Sequence, residues 1–322
     1  MTHVHLWGAA GYAAAEIVRI LSRHPHTEIV TLESRSHAGQ RIAEHFPRLR
    51  RSNAIFDAPG SILDRVEEGD VVFMAGAHGE ALQHAPSLLS RGARIIDLSA
   101  DFRFDDSAVY GLPEWNRAEI ASATLVANPG CYPTATLLAT LPLQPLGVMR
   151  SLIVDAKSGI TGAGRTPTLG ALYAEVADDI RAYGLNGHRH QPEIERILAA
   201  HKCEAPLTFT PHVVPLARGM LVDCYAVFDS SMDTDHLMNL FERAYAKSPF
   251  VRLINGETAP SVASTIGTND AELRCDVRDN VVRVICAIDN LGKGAAGQAV
   301  QNYNIMLGYP EETALDACVI AA

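Results

Sequence analysis

Over its first 150 residues this chain alternates short apolar runs with helical patterns, and that alternation restricts the possible folds more than any other feature. Val4-His5-Leu6-Trp7 reads as a strand and Gly8-Ala9-Ala10-Gly11 as a tight turn. Tyr12 to Arg23 follows as a helix with Ile17, Ile20 and Leu21 on one face. Glu28 to Leu32 is the next strand. Val71 to Ala75 and Arg94 to Leu98 are largely apolar runs, as strands buried on both faces should be, and Leu125-Val126-Ala127 is another. Strand, helix and strand at this spacing predict an α/β unit with a doubly wound parallel sheet.

After about residue 150 the texture changes. Ser151 to Lys157, Leu207 to Thr210, Leu221 to Phe228, Glu272 to Val277 and Val281 to Ile288 read as longer strands, some alternating in polarity. Helices are expected between them at 168–180, 192–201 and 234–247, and a last one from Ala295 to Leu307. This is the pattern of an α+β domain on a mostly antiparallel sheet. The 322 residues exceed what one ordinary core serves, which agrees with two domains.

Net charge of −10 argues against a nucleic-acid partner, and no apolar run reaches the length of a membrane span. Six scattered cysteines (Cys131, Cys203, Cys224, Cys275, Cys286 and Cys318) show neither Cys-x-x-Cys nor zinc-ligand spacing. They fit a reducing cytosol without a metal site. The N-terminus enters a strand directly, with no charged leader and apolar signal core. A cytoplasmic location is expected.

Gly8, Ala10, Gly11 and Tyr12 sit where a first strand turns into a helix. Glycines there allow a tight turn and a close approach to a pyrophosphate, which rests on the helix N-terminus. The cofactor type is read at the end of the second strand, where Glu33 could hold a ribose 2′-OH and Arg35 a 2′-phosphate. Ser34-Arg35-Ser36 sets two hydroxyls beside a guanidinium, a better phosphate cradle than Glu33 is a ribose ligand. NADP(H) is therefore expected.

Asn128-Pro129-Gly130-Cys131-Tyr132-Pro133-Thr134 places one thiol between a Pro-Gly bend and a run of helix formers. Unpaired N–H groups and the helix dipole favour thiolate at such a position. Gly187-His188-Arg189-His190-Gln191-Pro192-Glu193 sets two imidazoles at another helix start, able to trade protons near neutral pH. The loop Lys157-Ser158-Gly159-Ile160-Thr161-Gly162-Ala163-Gly164-Arg165 combines free N–H groups, hydroxyls and cations suited to phosphate or carboxylate. Ser99 and Arg103, after the fourth strand, are candidates for a second anion site.

Together these residues resemble the N-acetyl-γ-glutamyl-phosphate reductase family of the aspartate-semialdehyde/glyceraldehyde-phosphate dehydrogenase-like superfamily. The likeness runs through Gly8–Tyr12, Ser34–Ser36, Asp97–Arg103, Tyr110–Glu114, Ala127–Thr134, Lys157–Gly159 and Gly162–Arg165. It continues through Gly187–Ile194, Thr210–Pro215, Arg218-Gly219 and Asp289–Asn302. Ala13-Ala14 departs from it, since the family commonly has a residue plus Gly there. The resemblance implies a Rossmann-type NADP-binding domain over 1–130, joined by a C-terminal helix at 295–322. It also implies a glyceraldehyde-phosphate-dehydrogenase-like catalytic and oligomerisation domain over 131–294, in a homodimer or homotetramer.

The implied reaction is NADPH-dependent reduction of the acyl phosphate N-acetyl-L-glutamyl 5-phosphate to N-acetyl-L-glutamate 5-semialdehyde, in arginine biosynthesis. Cys131 would form a thioester, His190 would move the protons with His188 as its rival, and N–H groups at the Cys131 turn would hold the oxyanion. By the same resemblance Ser158, Gly159, Asn290, Gly292, Lys293 and Gly294 lie near the cofactor. Ser99, Arg103, Asn128, Ser158, Arg165, His188 and Arg218 are implied for the substrate. The rival readings are the same chemistry on aspartyl phosphate or a carrier-linked aminoadipyl phosphate, and a Cys/His thiol hydrolase.

Overall fold

The alternating apolar runs of the N-terminal part form a six-stranded parallel sheet. The computed structural model describes residues 1–315 and divides into two units, Met1–Pro129 with the chain from Ala295, and Gly130–Gly294. The first unit begins β1 (Thr2–Trp7), α1 (Tyr12–Leu21), β2 (Thr27–Glu33), α2 (Ile42–His45), α3 (Ser61–Arg65), β3 (Val71–Met74) and α4 (Glu80–Ser90). It continues β4 (Arg94–Asp97), β5 (Val109–Tyr110), α5 (Pro113–Ser122) and β6 (Leu125–Ala127).

Strand order is β2-β1-β3-β4-β6-β5 with every pairing parallel. The order reverses between β1 and β3, the place where open α/β sheets leave a crevice beyond the strand ends. All four residues of β3 are buried, which is why that segment is apolar without alternation. One face of the sheet packs Val72, Met74 and Ile95 against Ala85 and Leu88 of α4.

The second unit holds α6 (Cys131–Thr140), β7 (Met149–Ser158), α7 (Tyr173–Val176), β8 (Arg181–Ala182), α8 (His190–Ala200), β9 (Leu207–Val213) and β10 (Met220–Phe228). α9 (Thr234–Tyr245), β11 (Val251–Leu253), α10 (Val262–Thr265), β12 (Ala271–Arg278) and β13 (Val281–Ile288) complete it. The seven strands run β11-β12-β13-β10-β7-β9-β8 in a mixed sheet. β10 pairs antiparallel with β7 and β13, as do β12 with β13 and β8 with β9, whereas β7–β9 and β11–β12 are parallel. β10 alternates buried and half-exposed along its whole length, the signature of a sheet with one packed face.

Two expectations are corrected. The helix read at 168–180 is instead a 3-10 turn at Leu169–Ala171 and the four-residue α7. Gly170 interrupts the pattern, Asp178 takes φ 61°, and Val176 is the one buried side chain of α7, so no apolar stripe holds a longer helix. The C-terminal helix is a π turn at Gly292–Ala296 followed by α11 (Gly297–Met306), which belongs to the first unit from Ala295. It ends well short of 322, and residues 316–322 of the expected span lie outside the described residues.

α11 is buried on every side, and its amides are matched accordingly. Gln298 and Asn302 both donate to the Gly111 carbonyl, and a Cβ at Gly111 would lie 2.5 Å from the Asn302 amide nitrogen. No helix among the described residues is long and apolar enough to cross a membrane.

Ile95→Ala in the buried β4 should cost about 2–5 kcal/mol, whereas Leu82→Ala on the exposed side of α4 should change stability by no more than about 0.5 kcal/mol. Urea unfolding of the two variants checks this.

Candidate active site

In the first unit, Gly8, Ala10, Gly11 and Tyr12 come together at the β1–α1 turn. Gly8 has φ +75°, and a Cβ there would meet the Gly76 backbone at 2.6 Å, so the ends of β1 and β3 touch main chain to main chain. Gly11 caps α1 without any side-chain cap, which leaves the first-turn N–H groups directed out of the helix. A Cβ on Gly11 would find only the Gly8 carbonyl, at 3.8 Å. The turn is therefore an open anion cradle at the topological switch point, and a pyrophosphate fits it.

At the end of β2 the structure separates the two residues that competed for the ribose. Glu33 is buried, and its Oε2 accepts from the Ile62 N–H at 3.1 Å, capping the first turn of α3. It does not face outward to a ribose. Arg35 is exposed and pairs with Glu80, whose carboxylate also accepts from Trp7 Nε1. Ser36 Oγ lies 2.6 Å from His37 Nδ1. Ser34 is turned inward, and its buried hydroxyl makes no hydrogen bond among the described residues.

Three expected substrate ligands of this unit are engaged internally instead. Ser99 donates to Asp97, whose carboxyl burial pushes above the usual range. Arg103 donates to the carbonyls of Asn128 and Leu98, and Asn128 ties Ala295 to Asn302. These side chains brace the ends of β4 and β6, because buried polar groups need partners.

In the second unit, α6 begins at Cys131. Every other residue of that helix is buried, while Cys131 is half-buried. Gly130 caps the helix with no side-chain cap, and the Gly130 N–H is held by the buried Glu193 carboxylate at 2.9 Å. Gly294 closes the other side: a Cβ there would lie 2.8 Å from Cys131 Cβ. The thiol thus sits on a fixed backbone at a helix N-terminus.

Cys131 opens into a cavity of 610 Å³. Ser158, Gly159, His188 and His190 line it, together with Tyr183, Arg181 and Arg189, which the sequence alone did not single out. Tyr183 donates to Tyr132, which donates to the His212 carbonyl, and burial raises both phenols so that they remain neutral. An Ala-Tyr-Gly triplet ahead of the histidines carried no signal for this.

The two histidines differ. His188 Nδ1 accepts the His190 backbone N–H at 3.2 Å, and burial, with Arg189 adding, pulls the His188 ring down to about 4. Its lone pair is occupied and it is a poor base near neutral pH. His190 is the first residue of α8 and is buried against the Tyr132 ring, 5.8 Å between centroids.

Arg165 is half-buried and does not line the cavity. Arg218 forks onto the fully buried Asp289 at 3.2 and 2.6 Å. Asn290 holds the Gly219 N–H and the Thr161 hydroxyl. Gly292 is forced by the Thr268 carbonyl, 2.2 Å from where its Cβ would be, and Lys293 is wholly buried, 6.0 Å from the Phe250 ring centroid. These residues build the strap that presents Gly294 to Cys131.

Residues 3–123 match the family model described as semialdehyde dehydrogenase, NAD binding domain, and residues 131–290 the one described as semialdehyde dehydrogenase, dimerisation domain. The N-acetyl-gamma-glutamyl-phosphate reductase of Moorella thermoacetica is 43% identical, over 96% of both chains. That of Pelotomaculum thermopropionicum is 42% identical, over 97% of both. Aspartate semialdehyde dehydrogenase II from Vibrio cholerae superposes with a TM-score of 0.77 at 17% identity, covering 96% of this chain and 98% of that one, a likeness of fold.

The His188 shift has a pH consequence. The folded ring stays neutral down to about 4, whereas an unfolded histidine protonates near 6.5, so between those values the unfolded chain binds more protons. Acidification through that window destabilises the fold. His188→Asn should flatten this part of the stability profile relative to wild type, measured as urea midpoints at pH 4.5 and 7.

Proposed function

The chain belongs to the N-acetyl-gamma-glutamyl-phosphate reductase family, and from that premise we propose that Cys131 carries the acyl group of its substrate as a thioester while His190 moves the protons. It is an oxidoreductase that converts N-acetyl-L-glutamyl 5-phosphate to N-acetyl-L-glutamate 5-semialdehyde and phosphate, a step of arginine biosynthesis that we place in the cytoplasm. The observation that carries the residue assignment is the shared cavity: one half-buried thiol at an uncapped helix start and two imidazoles, one of which is already engaged.

The thiol proton passes to His190 as Cys131 Sγ bonds to the acyl carbon, and the carbon–oxygen bond to phosphate breaks. First-turn N–H groups of α6 face the oxyanion of the tetrahedral intermediate. NADPH, when bound, supplies the hydride that reduces the thioester carbonyl. Protonated His190 gives its proton to the resulting alkoxide. As the carbon–sulfur bond breaks, the hydroxyl proton returns to His190, releasing aldehyde and the Cys131 thiolate, which His190 reprotonates to thiol. Glu193 fixes the bend before Cys131 from the same helix that begins with His190.

The substrate is a polyanion, and the cations lining the cavity are Arg181 and Arg189. We assign substrate phosphate and carboxylate to these two, with Ser158, in place of Arg103 and Arg218. For the cofactor, Gly8, Gly11 and Tyr12 would hold the pyrophosphate. Arg35 and the Ser36 hydroxyl would hold a 2′-phosphate, whereas the expected Ser34 hydroxyl is buried and turned away, and the inward turn of Glu33 supports NADP(H) over NAD(H).

The test is phosphate-dependent reduction of NADP+ with N-acetyl-L-glutamate 5-semialdehyde, compared with aspartate semialdehyde. Cys131→Ser should lose activity and still bind NADPH. His190→Asn should lower kcat by about 10²–10⁴ and His188→Asn by much less, and the reverse ranking would exchange their roles. Arg35→Ala should weaken NADPH binding while leaving NADH nearly unaffected. Equal losses would refute the phosphate assignment.

A further inference from the structure

A carboxylate stands in the crevice of the first unit, against the cation assigned to the coenzyme phosphate. Glu80, the first residue of α4, folds back over the turn between β3 and α4. Its Oε2 accepts from Trp7 Nε1 at 3.1 Å and from the Ala77 N–H at 3.2 Å. Its Oε1 accepts from Arg35 Nη2. The same carboxylate lies on the Gly76 main chain, where a Cβ would be 2.2 Å from Oε2. Gly76 is the residue that the Gly8 turn touches, so this negative charge sits beside the anion cradle.

Helix capping does not account for the position. The first N–H groups of α4 are taken by Asp101, which accepts from Gly79, Ala81 and Leu82. The two oxygens of Glu80 serve different partners: Oε2 holds the turn, and Oε1 meets Arg35 alone. The Arg35 side chain is 75% exposed and that of Glu80 21%, so Glu80 is the fixed member of the pair and Arg35 the movable one. Among the described residues Arg35 has no other hydrogen-bond partner. A fixed carboxylate on the cation that an anion must use opposes that anion, because like charges repel and the guanidinium is shared.

We propose that Glu80 competes with the coenzyme 2′-phosphate for Arg35, and so sets how tightly NADP(H) is gripped without touching the nucleotide. The phosphate draws the guanidinium off Oε1 or shares it with a charge that stays in place, and either way the pair loosens the hold. NADH brings no group that needs Arg35. Whatever the carboxylate does to the pyrophosphate is common to both coenzymes and cancels in their ratio. Glu80 is thus a positioning residue acting through Arg35, an inference that rests on the assignment of Arg35 to the 2′-phosphate.

Glu80→Gln isolates the effect, since its amide oxygen can still accept from Trp7 and Ala77 while its NH2 group cannot pair with a guanidinium. Kd values for NADPH and NADH are measured by fluorescence titration of the full chain, in wild type, Glu80→Gln, Arg35→Ala and the double variant. In Glu80→Gln the ratio Kd(NADH)/Kd(NADPH) should rise about 2–5-fold, the worth of an exposed ion pair, and the rise should shrink in about 0.5 M salt. In the Arg35→Ala background the same substitution should leave the ratio unchanged, which a general disturbance of the turn would not do. An unchanged or lower ratio in Glu80→Gln, or an equal rise with and without Arg35, would overturn the proposal, and the phosphate assignment would stand if Arg35→Ala alone weakens NADPH. If Arg35→Ala alone leaves NADPH binding as it is, the phosphate assignment fails and the competition with it.

Discussion

The buried helix α6 is the constraint on which the catalytic unit depends. Nine of its ten residues, Tyr132 to Thr140, are buried, so its axis and rotation are set by packing rather than by its own propensity. The one residue left partly open is the thiol. Glu193 holds the bend before it, Gly294 presses on its Cβ, and Tyr132 hydrogen-bonds to the end of β9. A thiol placed this way has little freedom to move.

Much of this was legible because it depends on local chemistry. The unbroken apolar runs at β3 and β4 announce strands covered on both faces, and the Gly8–Gly11 turn announces a backbone that must come close to something. What the glycine meets, the Gly76 main chain, is a tertiary fact that no spacing contains. The Pro-Gly-Cys bend marked a thiol at a helix start, since such a start needs only neighbouring residues to define it.

The illegible part concerned which polar groups are occupied. Glu33 and Arg35 are two residues apart, and although the sequence favours Arg35 for a phosphate, it does not show that the fold uses the Glu33 carboxylate to cap a helix 29 residues away. His188 and His190 look equivalent in sequence, but the backbone phase at the start of α8 makes one accept the other's N–H. Arg218 and Lys293 are implied as ligands by the family resemblance alone, and the fold sets one on Asp289 and buries the other. At 168–180 the pattern suggests a helix but the core offers it no face, so local preference was not confirmed by packing.

The cap formed by Glu33 limits how this chain could change its coenzyme. A carboxylate at the end of β2 is the group that would select the form lacking the 2′-phosphate, and here it is already present. Turning it outward would strip α3 of its cap, a loss of about 0.5–2 kcal/mol from a five-residue helix. A second substitution would have to supply a new cap before the first became tolerable. Coenzyme preference in this lineage is thereby tied to the integrity of a short helix rather than to any residue that would touch the nucleotide, and it should resist drift by single steps.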